Sequence, residues 1–118
     1  MHIVSRDDAI PYTTRDNSEI RELAHPINSP LLNQSLAEAT IAPGAATLRH
    51  YHLQTEEIYY ILSGAGAMHL GEESRSVSRG DIIVIPPSKP HYIANIGDEP
   101  LVLLCCCSPA YSHEDTIV

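Results

Sequence analysis

Residues 49–57 read RHYHLQTEE and place two imidazoles and two carboxylates within nine residues. Imidazole nitrogen and carboxylate oxygen are donors that first-row transition metals accept, so the chemistry open to this stretch is metal binding. Side chains on a β-strand alternate between faces with period two. His50 and His52 therefore share one face, with Arg49 and Tyr51 on the other. Glu57 opens the next β-prone run after a short loop, and a hairpin returning beside the first strand would let its carboxylate join the histidines. Glu56 is the rival donor and faces the opposite way; the Glu57 register carries Tyr59 and Ile61 onto the site face. His91, which opens HYIAN, is a fourth candidate that only a closed barrel could bring near His50.

Positioning these groups falls to a series of short strands. From Gln34 onward about eight β-prone runs alternate with turn residues, among them SLAEATI, ATLRHYH, EEIYYILS, AGAMHL, IIVI and LVLLCCC. No long helical pattern interrupts them, which disfavours a parallel α/β sheet and predicts an all-β, antiparallel jelly-roll barrel. Residues 1–33 carry Pro11, Pro26 and Pro30 and read as an irregular arm wrapped on the body. One short helix is expected over residues 18–25, capped by Asp16 or Asn17, with Ile20 and Leu23 at helical spacing. The division expected is an arm over 1–33, a barrel over 34–107 with its motifs at 44–64 and 80–95, and a tail over 108–118. EEIYYILS and LVLLCCC are apolar on both faces, so the outer face needs cover from the arm or a second subunit, and a homodimer is expected.

The spacing of the donors resembles the cupin superfamily. Its first signature runs glycine, five residues, HxH, three or four residues, Glu, six residues, glycine; here Gly44, His50, His52, Glu57 and Gly64 fall in register. Its second is met by Gly80, Pro86, His91 and Asn95, with Ser88 standing where the family has glycine. That departure touches a turn and no metal ligand. The resemblance implies a divalent metal held inside the barrel by His50, His52, Glu57 and His91. Three imidazoles and one carboxylate suit Mn, Fe, Ni, Cu or Zn better than Mg or Ca, without selecting among them. Up to two positions of an octahedron would remain open for water or substrate, as a catalytic metal requires.

The resemblance also implies a small-molecule substrate rich in oxygen, and dioxygenase, isomerase or decarboxylase chemistry; an enzyme is the favoured reading. Glu57 and Tyr59 are the candidate catalytic residues, the first mainly as ligand, the second through its hydroxyl, with a plain core tyrosine as the competing account. The alternative is a non-enzymatic module that binds a small ligand or senses a metal, favoured by the shortage of further acids and bases on the site face. Seven Lys and Arg against fifteen Asp and Glu, a net charge of −8, argue against nucleic-acid binding and against anionic membranes. The first residues lack the basic start and apolar stretch of a signal peptide, so a cytoplasmic location is expected. Cys105, Cys106 and Cys107 are adjacent and make a poor disulfide framework; they read as small, buried thiols with no obvious base beside them.

Overall fold

The computed structural model describes residues 1–118 and is almost entirely β. Eleven strands follow a single 3-10 turn at Arg6–Asp8: β1 (Tyr12–Thr13), β2 (Glu19–Ala24), β3 (Ser35–Ile41), β4 (Tyr51–His52), β5 (Glu56–Ser63), β6 (Ala65–Leu70), β7 (Glu73–Ser78), β8 (Ile82–Ile85), β9 (His91–Asn95), β10 (Leu101–Ser108) and β11 (Thr116–Ile117). A six-stranded sheet in the order β1-β2-β3-β10-β5-β8 forms one wall. The other wall is β7-β6-β9 together with the pair β11-β4. Isolated bridges Ala46↔Ala94 and His50↔His91 lace the two parts of that wall together. Every named pairing is antiparallel, as a jelly-roll barrel requires.

The inner face of the large sheet is graded along its length. Register sets Ile41 opposite Leu101, Ala39 opposite Leu103, Ala37 opposite Cys105 and Ser35 opposite Cys107. On the far side of β10, Leu103 faces Ile61, Cys105 faces Tyr59 and Cys107 faces Glu57. Branched side chains therefore fill one end, where Ile61, Ile93, Leu101 and Leu103 are essentially inaccessible to solvent. Serine, alanine and cysteine line the central strands at the other end and leave a hollow there. Close packing of the filled end provides most of the hydrophobic stabilisation, at roughly 25 cal/mol per Å² buried.

The helix expected over residues 18–25 is a strand instead. Glu19–Ala24 pairs with β3, setting Ile20 against Ala39 and Glu22 against Ala37. A helix this short is marginal by itself, and a row of sheet hydrogen bonds to β3 outweighs its weak local preference. The expected hairpin between the HxH strand and the Glu57 strand is also absent. β4 pairs with β11 from the tail, and β5 pairs with β10 and β8. The Leu53–Gln54–Thr55 loop crosses from one wall to the other, with the Asp115 carboxylate accepting from the backbone N–H of Gln54 and Thr55 at 3.0 and 3.1 Å. Glu57 thus meets the histidines across the barrel rather than beside them.

Three turns carry the motif positions. Asn95 ties down the turn after β9: its Nδ2 donates to Ile41 O at 2.9 Å and Glu99 O at 2.7 Å, and its Oδ1 accepts from Gly97 N at 2.9 Å. Ser88 takes the left-handed conformation, φ 65°, that the family signature meets with glycine. Serine there costs about 1–2 kcal/mol relative to an unstrained backbone, and its N–H is held by His52 O at 2.6 Å. Gly64 has φ +87°, and a Cβ there would lie 2.6 Å from Pro100 O and 2.9 Å from Leu101 Cα, both backbone atoms that cannot step aside. Gly64→Ala should therefore destabilise the fold by about 2–4 kcal/mol, from positive φ and overpacking together. Urea denaturation checks this, and a loss below about 1 kcal/mol would contradict the packing described.

Candidate functional site

His50, His52 and His91 come from the smaller wall and Glu57 from the larger one, and they meet at the hollow end. One ligand atom from each of the four lies within 4.8 Å of all the others. All four side chains are buried, with His50 and His52 3% exposed, Glu57 5% and His91 0%. His50 and His91 are fixed by reciprocal backbone hydrogen bonds, His50 N to His91 O at 3.1 Å and His91 N to His50 O at 2.9 Å. Arg49 is exposed and Tyr51 half-buried, so the alternation expected of the HxH strand is observed. Glu56 is exposed on the outer face of β5, which removes it as a rival.

Hydrogen bonds on the remote ring nitrogens decide which nitrogen carries the proton. His50 Nδ1 lies 2.7 Å from Leu48 O, and His91 Nδ1 lies 2.9 Å from Lys89 O. A carbonyl can only accept, so both Nδ1 atoms donate. His52 Nδ1 lies 3.0 Å from Thr116 Oγ1, whose own hydrogen is donated to Ser112 O at 2.9 Å. That hydroxyl therefore accepts, and His52 Nδ1 donates as well. In the neutral ring each Nε2 is then a bare lone pair, the arrangement that metal-binding histidines adopt.

Those lone pairs face a carboxylate. Glu57 Oε1 lies 3.2 Å from His52 Nε2 and 3.5 Å from His91 Nε2. Yet His52 Nε2, His91 Nε2 and Glu57 Oε1 are buried without any hydrogen-bond partner. Burial pushes the Glu57 carboxyl up, but the adjacent His52 and His91 more than reverse this and hold it at about 2. That depression holds only while those two rings carry positive charge; with each Nε2 bare, a cation between the rings and Glu57 would have to take their place. Burial and the neighbouring His91 both push the His50 ring down, away from the charged form. Three unprotonated nitrogens converging on an ionised oxygen, two of them and the oxygen without partners, are a donor set that fits a transition-metal ion.

Tyr59 lines the same hollow, 3% exposed, with its ring 6.0 Å from that of His91. Burial and the nearby Glu57 push its phenol well above the usual range, so it stays a hydrogen-bond donor.

Several groups at the site were not singled out in the sequence. Cys107 Sγ donates to Glu57 Oε2 at 3.2 Å, so one member of the cysteine run does sit against a carboxylate. Its thiol is pushed up by burial first and by Glu57 next, and it remains protonated. All three cysteines are free, as expected. Asp16, at the tip of the β1–β2 hairpin, brings Oδ2 to 3.7 Å from His50 Nε2. Its Oδ1 accepts from Ser18 N at 2.9 Å and Ser18 Oγ at 2.6 Å, and its carbonyl accepts from Leu48 N at 2.7 Å. Glu22 reaches the cavity from β2, with Oε1 buried and unpartnered. An Asp one residue before a left-handed Asn17 was the only local sign that a tight turn presents this carboxylate. His113, Glu114 and Asp115 belong to a tail packed on the barrel, where Asp115 caps the crossing loop.

No helix is long and apolar enough to cross a membrane. Comparison with known proteins places the fold. An uncharacterized protein of Methanocaldococcus jannaschii is 54% identical over 110 residues, spanning 93% of this chain and 88% of its own. The structure of a predicted oxalate decarboxylase from Thermotoga maritima superposes with TM-score 0.81 at 23% identity, covering 92% of this chain and 99% of the other. The formate complex of Lactobacillus farciminis oxalate decarboxylase superposes with TM-score 0.81 at 28% identity, covering 94% of this chain but 33% of that longer one. The cupin domain profile matches residues 37–107, more than half of the sequence, and the chain belongs to the cupin family.

Proposed function

We propose that this chain is a metal-dependent cupin enzyme acting on a small, oxygen-rich molecule. His50, His52, Glu57 and His91 would hold one divalent ion of Mn, Fe, Ni, Cu or Zn. The observation that carries this reading is the convergence of three bare Nε2 atoms on an ionised carboxylate, with His52 Nε2, His91 Nε2 and Glu57 Oε1 buried and without partners. The ion, when bound, supplies a Lewis acid able to polarise an oxygen-bearing ligand at the open side of the site. The chain's own groups supply the rest. Leu48 O, Lys89 O and Thr116 Oγ1 keep each Nε2 free of its proton. Cys107 occupies Oε2 of Glu57 and so directs Oε1 toward the histidines. Tyr59 offers a neutral hydroxyl to a bound ligand, and Asp16 offers a carboxylate close enough to take or return a proton beside His50. That carboxylate answers the shortage of acid–base groups which had favoured a plain binding module.

Two of the similar structures are named for oxalate decarboxylation, so decarboxylation is the first reaction to assay, followed by oxygenation and isomerisation. Protein loaded separately with Mn, Fe, Ni, Cu and Zn should turn over a small carbonyl or hydroxy compound with at least one metal. Saturable binding with no product from any form would establish the binding-module alternative.

His91→Ala should reduce metal retained after gel filtration at least tenfold, because a ligand and its locked tautomer are both lost. Chelation of the intact protein should lower its unfolding free energy by about 2.7 kcal/mol when free metal had stood at a hundred times Kd. Unchanged metal content and unchanged melting temperature in His91→Ala would defeat the assignment.

The reading includes a homodimer. The arm extends the sheet edge beyond β3 and leaves the outer face of β5 and β8 uncovered. Ile58 faces Val84 and Tyr60 faces Ile82 across those strands, and all four are exposed, Ile82 and Val84 by 61% and 65%. Contiguous apolar surface of this kind is unusual on a monomer and suits a second copy of the chain. Light scattering should give a dimer mass for the wild type and a monomer mass for the double variant Ile82→Glu/Val84→Glu. A monomeric wild type at micromolar concentration would refute it.

A further inference from the structure

We infer that the site selects a small, uncharged or cationic ligand whose hydroxyl or amine hydrogens face Glu22 and Asp16, and that it discriminates against dicarboxylate dianions. This rests on the metal reading above and adds the class of molecule. The cavity bounded by the ligand group and the arm is lined by three carboxylates, Asp16, Glu22 and Glu57, and by no lysine or arginine. With the three ligating imidazoles neutral, those carboxylates outweigh a divalent cation by one charge before any substrate enters. A dianion would deepen that imbalance in a poorly screened space, whereas a neutral molecule leaves it unchanged and a monocation cancels it.

Hydrogen-bond accounting points the same way. Glu22 Oε1 is buried and unpartnered, and an acceptor-only group in that condition costs about 1–3 kcal/mol unless a donor meets it. Burial pushes the Glu22 carboxyl up, and a donor set against it would draw it back down. Asp16 Oδ1 is satisfied by Ser18, while Oδ2 points toward His50 and accepts no hydrogen bond within the chain. The route between Glu22 and Tyr59 is open because the two residues between them in the cross-strand row are Ala37 and Cys105. Unpartnered atoms of deeply buried His52 and Glu57, which line this same cavity, make it a built site rather than an acidic surface. The volume open to the centres of water molecules is about 40 Å³. At roughly 10–15 Å³ per water, that admits a ligand with the bulk of about three or four waters.

The test compares two small oxygen ligands of matched size, oxalate and dihydroxyacetone, by calorimetric titration of Mn(II)-loaded protein. Glu22→Gln should tighten oxalate about tenfold by removing one negative charge near the anion, and weaken dihydroxyacetone several-fold. Asp16→Asn is the second variant and should act in the same direction, so the comparison survives if either variant folds poorly. Equal effects on both ligands, a reversed pattern, or no binding of dihydroxyacetone to wild type would overturn the inference. Mn(II) content measured on the same samples separates the two levels. A wild-type chain that takes up no Mn(II) sinks the metal reading, whereas a loaded chain with the wrong ligand pattern sinks only this one.

Discussion

Lone pairs aimed at one another in a dry space are the constraint around which the molecule is arranged. Three Nε2 atoms without protons meet an ionised Glu57, and the partners that enforce this are spread over the chain: Leu48, Lys89, Thr116 and Cys107. Each unmet buried polar atom costs about 1–3 kcal/mol, and a domain of this size is stable by only about 5–15 kcal/mol. Such a cluster persists because the surroundings over-determine it. The reciprocal His50–His91 backbone bonds hold two rings at fixed separation, and closure of the barrel leaves Glu57 no other direction. A cation at the focus would give these lone pairs a common partner.

The graded interior is the second half of the arrangement. Leucine and isoleucine at one end of β3, β5 and β10 form a conventional close-packed core. Serine, alanine and cysteine further along β3 and β10 form the floor of a cavity, to which β5 adds Tyr59 and Glu57. A single sheet thus separates stability from function along its length without any inserted domain. Small side chains at the hollow end forgo part of the burial that larger ones would give, and the filled end makes up the difference. The arm contributes through its own register: pairing β2 with β3 turns Glu22 inward, and the hairpin tip lays Asp16 over His50.

Much of the ligand group was legible because its information is local. His50 and His52 are one pleat apart, Glu57 follows within a few residues, and the spacing of Gly80, Pro86, His91 and Asn95 supplies the second half. Strand alternation then fixes which face each takes. Asp16, Glu22 and Cys107 carry no such local mark. They reach the site only through pairings between distant segments, such as Glu22 with Ala37 and Cys107 with Glu57. The misread helix has the same origin, since eight residues with two apolar positions, Ile20 and Leu23, fit either period until β3 is alongside. The expected hairpin failed because nothing in LQTE reveals that Asp115, sixty residues on from Thr55, holds that loop in a crossing path.

The tail's contacts bear on the order in which the molecule can assemble. Thr116 sets the proton position on His52, and β11 closes over β4, yet these residues follow every other strand in the chain. Asp16 lies near the opposite end of the sequence, and β3 must find β10 across more than half the chain before the larger wall is complete. No short segment can hold a partial site with its donors correctly protonated. The long-range pairings, which are the slow steps in β-rich topologies, therefore come before the complete donor set. A metal ion held by the four-ligand group would therefore be captured late, once both ends of the chain have been laid down.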